Sequence, residues 1–358
     1  MSKIRILHIV SSLAATGVPT MLYNYYSYMD RNKIHFDFVT IPSKVEHTYK
    51  QKFEDLGSAV YYMPKSYRGR FTYLYRLMKD GQYDIVHSHI ELASAVYLTI
   101  AKLAGIKKRY AHAHMAFLPY NKLHQKLLRS LLRRVSTHKI GCSKNALYGL
   151  FGKQDGMVLH NAIDIDKFEY SPEIRAEYRL KLGLENNTVI GFVGRFSYQK
   201  NIFYLLDIFK EYIKLNSKAK LVIAGDGEQK VAFFKKADEY SLQNKIVYLG
   251  SRNDIPQLMM AMDCLLLPSR WEGLGIVLIE AQAAALMSFT SRTTVPYEDT
   301  NISPYIKYCD ISSSPTIWAN EMHKCIEDYH KTSIREILIK SNYSIQNQAY
   351  QLFSIYIN

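Results

Sequence analysis

The sequence predicts an α/β protein built from two doubly wound parallel sheets. Short apolar strands alternate with helical stretches almost from end to end, which is the pattern of such sheets. The chain has 358 residues, about twice a typical domain of roughly 150. Its composition is 48% hydrophobic and 22% charged, which is ordinary for a globular protein and excludes a mainly disordered or fibrous chain.

The amino-terminal half contains the first series of strands. The predicted strands are Arg5–Val10, Phe36–Thr40, Val60–Tyr62, Asp84–His89, Arg109–His114, Lys139–Cys142 and Met157–His160. Helical patterns lie between them, among others at Pro19–Met29, Arg70–Lys79 and Leu92–Ala104. Each apolar run is short and is followed by polar or turn-forming residues, as expected for buried strands.

A second series follows a polar stretch, Asn161–Glu185, which is predicted to be a linker and the first helix of a second domain. Its predicted strands are Val189–Gly194, Lys220–Ala224, Ile246–Leu249, Cys264–Pro268 and Ser288–Thr290. The sequence therefore predicts two domains, each with its own sheet.

Membrane-spanning and secretory segments are not predicted. No stretch approaches 18 consecutive apolar residues, the length that suggests a spanning helix. The charged start, Met-Ser-Lys-Ile-Arg, indicates a first core strand and not a signal peptide. The four cysteines are scattered without a CxxC pair, so we expect reduced thiols in a cytoplasmic protein: Cys142, Cys264, Cys309 and Cys325.

Charge is distributed unevenly along the chain. Residues 1–154 hold 24 basic and 8 acidic side chains, whereas residues 155–358 hold 22 and 24. Leu92–Gln154 contains 12 Lys or Arg residues and no Asp or Glu. This asymmetry predicts an anionic partner for the first half: nucleic acid, an anionic membrane surface or phosphorylated small molecules.

The segment Asn121–Val135 is predicted to be a basic amphipathic helix, because leucines recur at i and i+4 while Lys122 to Arg134 place cations on other faces. It is either a core-packed helix with a solvated polar face or a helix that rests on anionic lipid. A nucleic-acid partner is not expected, since no recognition module or zinc-ligand spacing occurs.

Ligands of open parallel sheets bind beyond the carboxyl ends of the strands. The turns at those positions are rich in residues suited to chemistry. They are Ser11–Val18, His87-Ser-His89, His112-Ala-His114, Gly194-Arg195, Gly225-Asp226-Gly227 and the stretch from Pro268 to Gly275.

Several of these segments, in this order and spacing, resemble the retaining glycosyltransferases of family 4, and in particular their capsular and exopolysaccharide branch. The segments are "KIRILHIVSS", "YDIVHSHI", "LHNAIDIDKF", "GRFSYQKN", "AGDGE", "GSRND", "AMDCLLLPSRWEGLGIVLIEAQAA" and "SIQNQAYQLF". The resemblance covers nearly the whole chain.

The resemblance implies the GT-B fold, in which two Rossmann-like domains face each other across a cleft. Residues 1–160, together with a returning tail at about 342–358, would form the acceptor domain. Residues 161–341 would bind the nucleotide sugar. The last helix, at about Ile345–Tyr356, would cross back to the first domain.

Glu272 and Glu280 are separated by seven residues, as in the Glu-x7-Glu signature of this family. Glycines beside Glu272 let backbone approach a ligand, and a helix beginning near Leu274 would offer free amides to an anion. Glu280 would lie about two turns into that helix. By resemblance, Glu280 holds the ribose, while Glu272, Gly273 and Leu274 hold the donor sugar and its phosphates.

Arg195 and Lys200 flank the turn after a strand that ends in Gly194. By resemblance, the two cations neutralise the charge that builds on the leaving diphosphate, so no metal and no other cofactor is expected. Asp226 is predicted to lie in a tight turn and not to bind a metal. Arg252 and Asn253 match the segment that flanks the nucleotide base.

The first domain contributes a glycine and three histidines to the implied site. Gly17 lies where relatives usually carry a Gly-Gly pair, and Thr16 replaces the first of these glycines. His114 matches a site histidine near the donor sugar, and His112 points the same way, so either could be that residue. His89 is predicted to line the acceptor side. A second departure is Ala285-Leu-Met, where relatives usually have Gly-Leu-Pro.

The resemblance implies transfer of a hexose from a nucleotide diphosphate sugar, with UDP as the commoner nucleotide, to a glycan carried on a polyprenyl diphosphate. No side chain is a convincing nucleophile, which favours front-face displacement with retention. The protein would be cytoplasmic and would dock on the inner face of the plasma membrane through the Lys122–Arg134 helix. The alternatives are a nucleotide-sugar epimerase of the same fold and a non-catalytic basic scaffold for a partner glycosyltransferase.

Overall fold

The computed structural model describes residues 3–14, 17–41, 47–115, 122–328 and 330–357. Two compact units share the chain. The first comprises residues 1–162 with 342–358, and the second comprises residues 163–341. The boundary predicted from the sequence, after residue 160, lies two residues earlier.

The first unit is built on a seven-stranded parallel sheet in the order β3-β2-β1-β4-β5-β6-β7. The strands are β1 Ile4–Val10, β2 Ile34–Thr40, β3 Val60–Tyr62, β4 Ile85–Ser88, β5 Lys108–Ala113, β6 His138–Gly141 and β7 Met157–Val158. The helices are α1 Gly17–Ser27, α2 Lys50–Asp55, α3 Tyr67–Asp80, α4 Ser94–Leu103, α5 Leu123–Val135 and α6 Lys144–Phe151.

The second unit is built on a six-stranded parallel sheet in the order β10-β9-β8-β11-β12-β13. Its strands are β8 Thr188–Val193, β9 Ala219–Ala224, β10 Ile246–Tyr248, β11 Cys264–Leu267, β12 Met287–Ser291 and β13 Ile306–Cys309. Its helices are α7 Ile165–Phe168, α8 Pro172–Leu182, α9 Ile202–Leu215, α10 Lys230–Glu239, α11 Ile255–Ala261, α12 Ile276–Ala283, α13 Tyr297–Thr300, α14 Pro315–Asp328 and α15 Arg335–Lys340.

The last helix, α16 Ile345–Ile357, belongs to the first unit. Its Tyr356 hydroxyl lies 2.5 Å from His87 Nδ1, and the Tyr110 hydroxyl donates to the carbonyl of Ile355 at 3.1 Å. The tail therefore packs on the first sheet through buried polar contacts as well as through apolar side chains.

Strand alternation gives the first sheet two different faces. Ile6, Ile85 and Tyr110 point to the face covered by α1 and α16. Leu7, Val86 and their neighbours point to the face covered by helices α3 to α6. Both faces are buried, as expected for a parallel sheet with crossover helices. None of the helices in the described residues is both long enough and apolar enough to cross a bilayer.

Candidate functional site

The carboxyl ends of β8, β9 and β10 are joined by backbone hydrogen bonds. The amide of Gly194 donates to the carbonyl of Ala224 at 3.0 Å, and the amide of Gly225 donates to the carbonyl of Gly250 at 2.8 Å. These bonds bring the loops that carry Arg195 and Arg252 to the same edge of the second sheet, where a doubly wound fold binds its ligand.

Gly225 shows why this edge needs glycine. Its φ is 143°, and a Cβ placed on it would lie 1.9 Å from the carbonyl oxygen of Gly194. The two loops after β8 and β9 therefore touch backbone to backbone, which only a residue without a side chain allows. The Gly-Asp-Gly sequence at this point has a structural reason independent of any ligand.

Lys200 and Glu272 form a short ion pair. Lys200 Nζ lies 2.6 Å from Glu272 Oε1, and the Ser269 hydroxyl donates to the same oxygen at 2.5 Å. Glu272 is only 8% exposed, and its amide donates to the carbonyl of Thr294 at 2.9 Å. The pair is thus held from three loops, and breaking it would leave a buried charge without its partner.

Two loops are joined beside this pair. The amide of Arg270 donates to the carbonyl of Gln199 at 2.8 Å, and the side-chain amide of Gln199 donates to the carbonyl of Trp271 at 2.9 Å. The rings of Tyr198 and Trp271 lie 5.9 Å apart. The segment after β8 is therefore fixed to the segment after β11, although about 70 residues separate them in sequence.

Glu280 lies on α12, which begins at Ile276 after Gly275 in a left-handed conformation with φ 74°. It is therefore just over one turn into the helix, and the sequence expectation of a start near Leu274 and a depth of two turns was wrong. Gly275 immediately precedes the helix in a left-handed conformation, which α-helical residues do not adopt. Burial raises the pKa of Glu280 to about 7, and the nearby charge of Lys200 opposes that shift.

The other predicted residues of the second unit lie nearby but are engaged differently. Arg195 is exposed and pairs with Glu228 at 3.1 Å. Arg252 forms a two-point ion pair with Asp254, at 2.8 and 2.5 Å. Arg252 and Asp254 line a surface pocket of about 420 Å³ together with Ser251, Asn253 and Gln257. The partly buried Gly273 and the buried Leu274 connect Glu272 to α12.

The aspartates that resemble metal ligands in sequence are engaged elsewhere. Asp226 accepts bonds from its neighbour's amide at 2.7 Å and from Lys230 and Tyr248 at 3.1 Å each. The sequence also contains an Asp-x-Asp pair, which sequence reasoning overlooked. Asp164 lies 2.9 Å from Lys167, and Asp166 lies 2.6 Å from Arg335. These contacts tie the two carboxylates to Lys167 and Arg335, and not to Lys200 or Glu272.

In the first unit, Gly17 begins α1, and a Cβ placed on it would meet no atom within 4 Å. The open space is what close approach of a ligand to this backbone requires. Thr16, the predicted departure from the family pattern, lies outside the described residues, as does Asn121, where the basic helix was predicted to begin.

The three predicted histidines of the first unit come together. His89 Nδ1 lies 3.0 Å from His114 Nε2, and the rings of His112 and His114 are 4.2 Å apart. Two further members were not predicted as site residues: His8 on β1, and His87 on β4, which was noted only as part of a turn. His8 Nδ1 lies 3.0 Å from His89 Nε2, and His8 pairs with His87 in the parallel register. The available signal was that His8 interrupts the apolar run of β1 at a position that shares a sheet face with the buried Ile6 and Val10.

Burial disfavours the protonated form of all five rings. Burial lowers the pKa of His8 and of His114 to about 3, and it holds the pKa of His87, His89 and His112 well below the usual value. Neighbouring imidazoles lower the pKa of His87, His89 and His112 further, because a second positive charge a few ångströms away is unfavourable in a buried site.

Comparison with known proteins identifies this combination of sheets and loops. A model described as Glycosyl transferases group 1 matches residues 174–344, and a model described as Glycosyltransferase Family 4 matches residues 15–167. Together the two matches span both units. The chain belongs to the family 4 glycosyltransferases.

Relatives of this glycosyltransferase include proteins named as glycosyltransferases, one of them of capsular polysaccharide biosynthesis. It is 26% identical to the putative glycosyltransferase EpsF of Bacillus subtilis, over 99% of this chain and 97% of EpsF. It is also 26% identical to the capsular polysaccharide biosynthesis glycosyltransferase CapH of Staphylococcus aureus, over 90% and 91%. An Escherichia coli UDP-Gal:alpha-D-GlcNAc-diphosphoundecaprenol alpha-1,3-galactosyltransferase is 32% identical, over 61% and 60%.

The fold is GT-B, as the sequence predicted. The crystal structure of Anabaena HepE in complex with UDP matches with a TM-score of 0.79 at 20% identity, and the match covers 99% of each chain. The two Rossmann-like sheets, each wound by helices, were predicted from the sequence with seven and five strands, and the second sheet has six.

Proposed function

We propose that this glycosyltransferase moves a hexose from a UDP-sugar to a lipid-linked oligosaccharide in capsule or exopolysaccharide synthesis, with retention and without a metal at the diphosphate. The observation that carries the donor side is the Lys200–Glu272 pair at 2.6 Å with Glu280 on the adjoining helix. The E. coli relative is named for a UDP-sugar donor and a diphosphoundecaprenol-linked acceptor, which supports both substrate classes.

Each charged group has a chemical task in this proposal. The Glu280 carboxylate accepts hydrogen bonds from the two ribose hydroxyls, which a carboxylate with two oxygens suits. Lys200 turns from Glu272 toward the diphosphate and balances the negative charge that grows as the sugar leaves. Arg195, exposed beside Glu228, adds a second positive charge, and Glu272 is freed to accept from the donor sugar's hydroxyls.

Retention follows from a front-face displacement. The bond from the anomeric carbon to the phosphate oxygen breaks, and the acceptor hydroxyl attacks from the same side. Its proton passes to the departing phosphate oxygen, so the chain needs to supply orientation and charge balance but no nucleophile.

A donor screen tests this proposal. Incubation with several nucleotide sugars and a polyprenyl-diphosphate-linked acceptor should release UDP from one UDP-sugar, and proton NMR of the product should show the anomeric configuration of the donor. Added Mg²⁺ or Mn²⁺ should leave the rate unchanged, since Lys200 and Arg195 carry the diphosphate charge. Inversion, or a rate that rises steeply with Mg²⁺, contradicts the mechanism.

We also propose that the first unit docks on an anionic membrane surface through α5, which would place the protein at the inner face of the plasma membrane. The second half of α5 is anchored, since Leu132 and Val135 are buried in the core of the first unit. The first half is not, because Leu123 and Leu127 are 74% and 63% exposed. Of the sequence alternatives, a packed helix describes the carboxyl-terminal half, and a lipid-binding face fits the amino-terminal half.

The charges of α5 divide in the same way. Arg129 donates to the carbonyl of Gly149 at 2.9 Å and so fixes α5 to α6. Lys122 and Lys126 are exposed beside the two exposed leucines. Cations flanking an apolar surface are what an interfacial helix presents to anionic lipid.

Replacing Lys122 and Lys126 by Ser should weaken binding to anionic liposomes roughly thirtyfold, since each basic residue near such a surface contributes about 1 kcal/mol. Co-sedimentation at low salt measures the effect, and raising the salt should weaken wild type similarly. The matched control is the double variant Lys218→Ser with Lys235→Ser, at two exposed lysines of the second unit, which should bind liposomes like wild type. Equal sedimentation of the two double variants would mean that α5 is merely a solvated surface.

A further inference from the structure

Five histidines cover one region of the first sheet, on the face that α1 and α16 pack against. His8 lies on β1 and His87 on β4, and His89 is the first residue after β4. His112 lies on β5, and His114 is the first residue after β5. Ring centroids of neighbouring pairs lie between 4.2 and 5.4 Å apart. We name this group, His8, His87, His89, His112 and His114, the histidine cluster.

The hydrogen bonds of the histidine cluster do not balance. Each imidazole ring carries at least one N–H group, so the five rings carry five or more, and at most three of these are used by the contacts His8–His89, His89–His114 and His87–Tyr356. At least two N–H groups therefore lack an acceptor. Among the described residues, both ring nitrogens of the fully buried His112 have no partner, and neither do His8 Nε2, His87 Nε2 and His114 Nδ1.

Buried polar atoms nearly always have a hydrogen-bond partner in folded proteins. A cluster of buried nitrogens without partners therefore indicates that a ligand is missing. We propose that His89, His112 and His114 bind a divalent transition metal of the zinc type through one ring nitrogen each. Neutral imidazole is the ordinary nitrogen ligand of such metals, and the free nitrogens of His112 then acquire a purpose. The proposal does not depend on the proposed function, because the metal is held by the first sheet alone.

The distances suit this assignment. One nitrogen from each of the three rings lies within 4.8 Å of the other two. A tetrahedral Zn²⁺ site with Zn–N bonds of about 2.0–2.1 Å needs ligand nitrogens about 3.4 Å apart. The pair His89 Nδ1 and His114 Nε2 is already at 3.0 Å. Small ring rotations close the site, and three protein ligands leave a fourth position for water.

Two neighbours complete the surroundings. His89 Nε2 faces His8 Nδ1 at 3.0 Å, so a metal on Nδ1 leaves the other nitrogen with a partner that orients the ring. Glu91 accepts the backbone amide of His114 through Oε1 at 2.8 Å, while its Oε2 has no partner in the described chain. Glu91, whose backbone is left-handed with φ 48°, therefore fixes the backbone at His114 beside the proposed site.

A second triplet, His8, His87 and His89, also meets the distance condition. We favour the first for two reasons. His87 already uses Nδ1 on the Tyr356 hydroxyl, whereas His112 has both nitrogens free. His114 is partly exposed, which gives an entering ion a path, whereas His8 and His87 are completely buried.

Metal analysis of the full chain tests the proposal. Protein purified from medium with added Zn²⁺ should contain about one zinc ion per chain, as measured by elemental mass spectrometry. Chelator-treated protein should show a higher unfolding midpoint on adding Zn²⁺, and Co²⁺ should produce visible absorption bands. His112→Leu should weaken Co²⁺ binding roughly tenfold or more. His138→Leu, on the neighbouring strand β6 and exposed, is the matched control.

The wild-type measurements keep the proposal open to refutation even if His112→Leu does not fold. Wild type that retains no zinc and shows no shift in unfolding midpoint with Zn²⁺ or Co²⁺ overturns it. Loss of metal in His87→Leu with full retention in His112→Leu overturns it as well, because the ion would then lie in the other triplet. UDP release is not a readout here, so failure of the donor assay leaves this result unaffected.

Discussion

Lys200→Ala should lower kcat by about 10² to 10³-fold while raising KM for the UDP-sugar much less. Removing one positioned electrostatic partner of a developing negative charge costs about that much in other enzymes. The diphosphate carries more charge in the transition state than in bound donor, so the loss falls mainly on turnover. Steady-state UDP release measures both constants.

The structure adds a complication and a way to resolve it. Lys200→Ala leaves the buried Glu272 without its 2.6 Å partner, so some loss could come from a disturbed loop. The double variant Lys200→Ala with Glu272→Gln removes that unpaired charge. The double variant should have a higher unfolding midpoint than Lys200→Ala, but its kcat should stay as low. Lys235→Ala, an exposed lysine on α10 of the same unit, should leave kcat and midpoint unchanged.

Recovery of kcat in the double variant would contradict the role given to Lys200. It would mean that the lysine only neutralises Glu272 in the folded protein and does not act on the diphosphate. The same outcome would move the charge-balancing role to Arg195, which is exposed and pairs with the exposed Glu228 at 3.1 Å.

The Lys200–Glu272 contact illustrates what sequence reasoning reaches and where it stops. Both residues were predicted as site residues from the motif, and both lie at carboxyl ends of strands, as the doubly wound fold requires. Their pairing with each other was not predicted. It depends on β8 and β11 being neighbours in the sheet and on Gln199 bridging the two loops, which sequence distance alone does not reveal.

The bounds of several strands were predicted closely from short, mainly apolar or aromatic runs. β3 has the predicted bounds, and β1, β8 and β9 differ from theirs by one residue at one or both ends. β13, Ile306–Cys309, was missed, because it is a short edge strand interrupted by the exposed Lys307. Exposure on one side removes the continuous apolar signal of a buried parallel strand.

The histidine cluster required knowledge of register. His112 and His114 were predicted to point the same way because they are two residues apart, and the structure places their rings 4.2 Å apart. His8 became significant only through its register with His87 in the adjacent strand. The sequence led us to expect no metal in the protein, and that expectation did not consider imidazoles that meet across three strands; the proposed metal site departs from it.

Glu280→Gln should weaken UDP binding about ten- to hundredfold at pH 8. The substitution keeps shape but exchanges a carboxylate for an amide, so charged hydrogen bonds to the ribose hydroxyls are lost, at about 1.5–3 kcal/mol. The pKa of about 7 adds a pH dependence. Wild-type affinity should fall as the pH drops below about 7, because the protonated carboxyl loses acceptor capacity. Calorimetric titration of UDP from pH 6 to pH 8 measures it.

The same pKa predicts an opposite effect on stability, which distinguishes a binding role from a structural one. A carboxyl whose pKa rises from 4.5 to about 7 on folding costs stability as the pH rises through that interval, on the order of 3 kcal/mol at pH 8. Glu280→Gln should therefore raise the unfolding midpoint of the free protein at pH 8 and have little effect at pH 4.5. Glu239→Gln, an exposed glutamate on α10, should change neither UDP affinity nor midpoint. A Glu280→Gln variant that is more stable yet binds UDP as tightly as wild type would remove Glu280 from the nucleotide site.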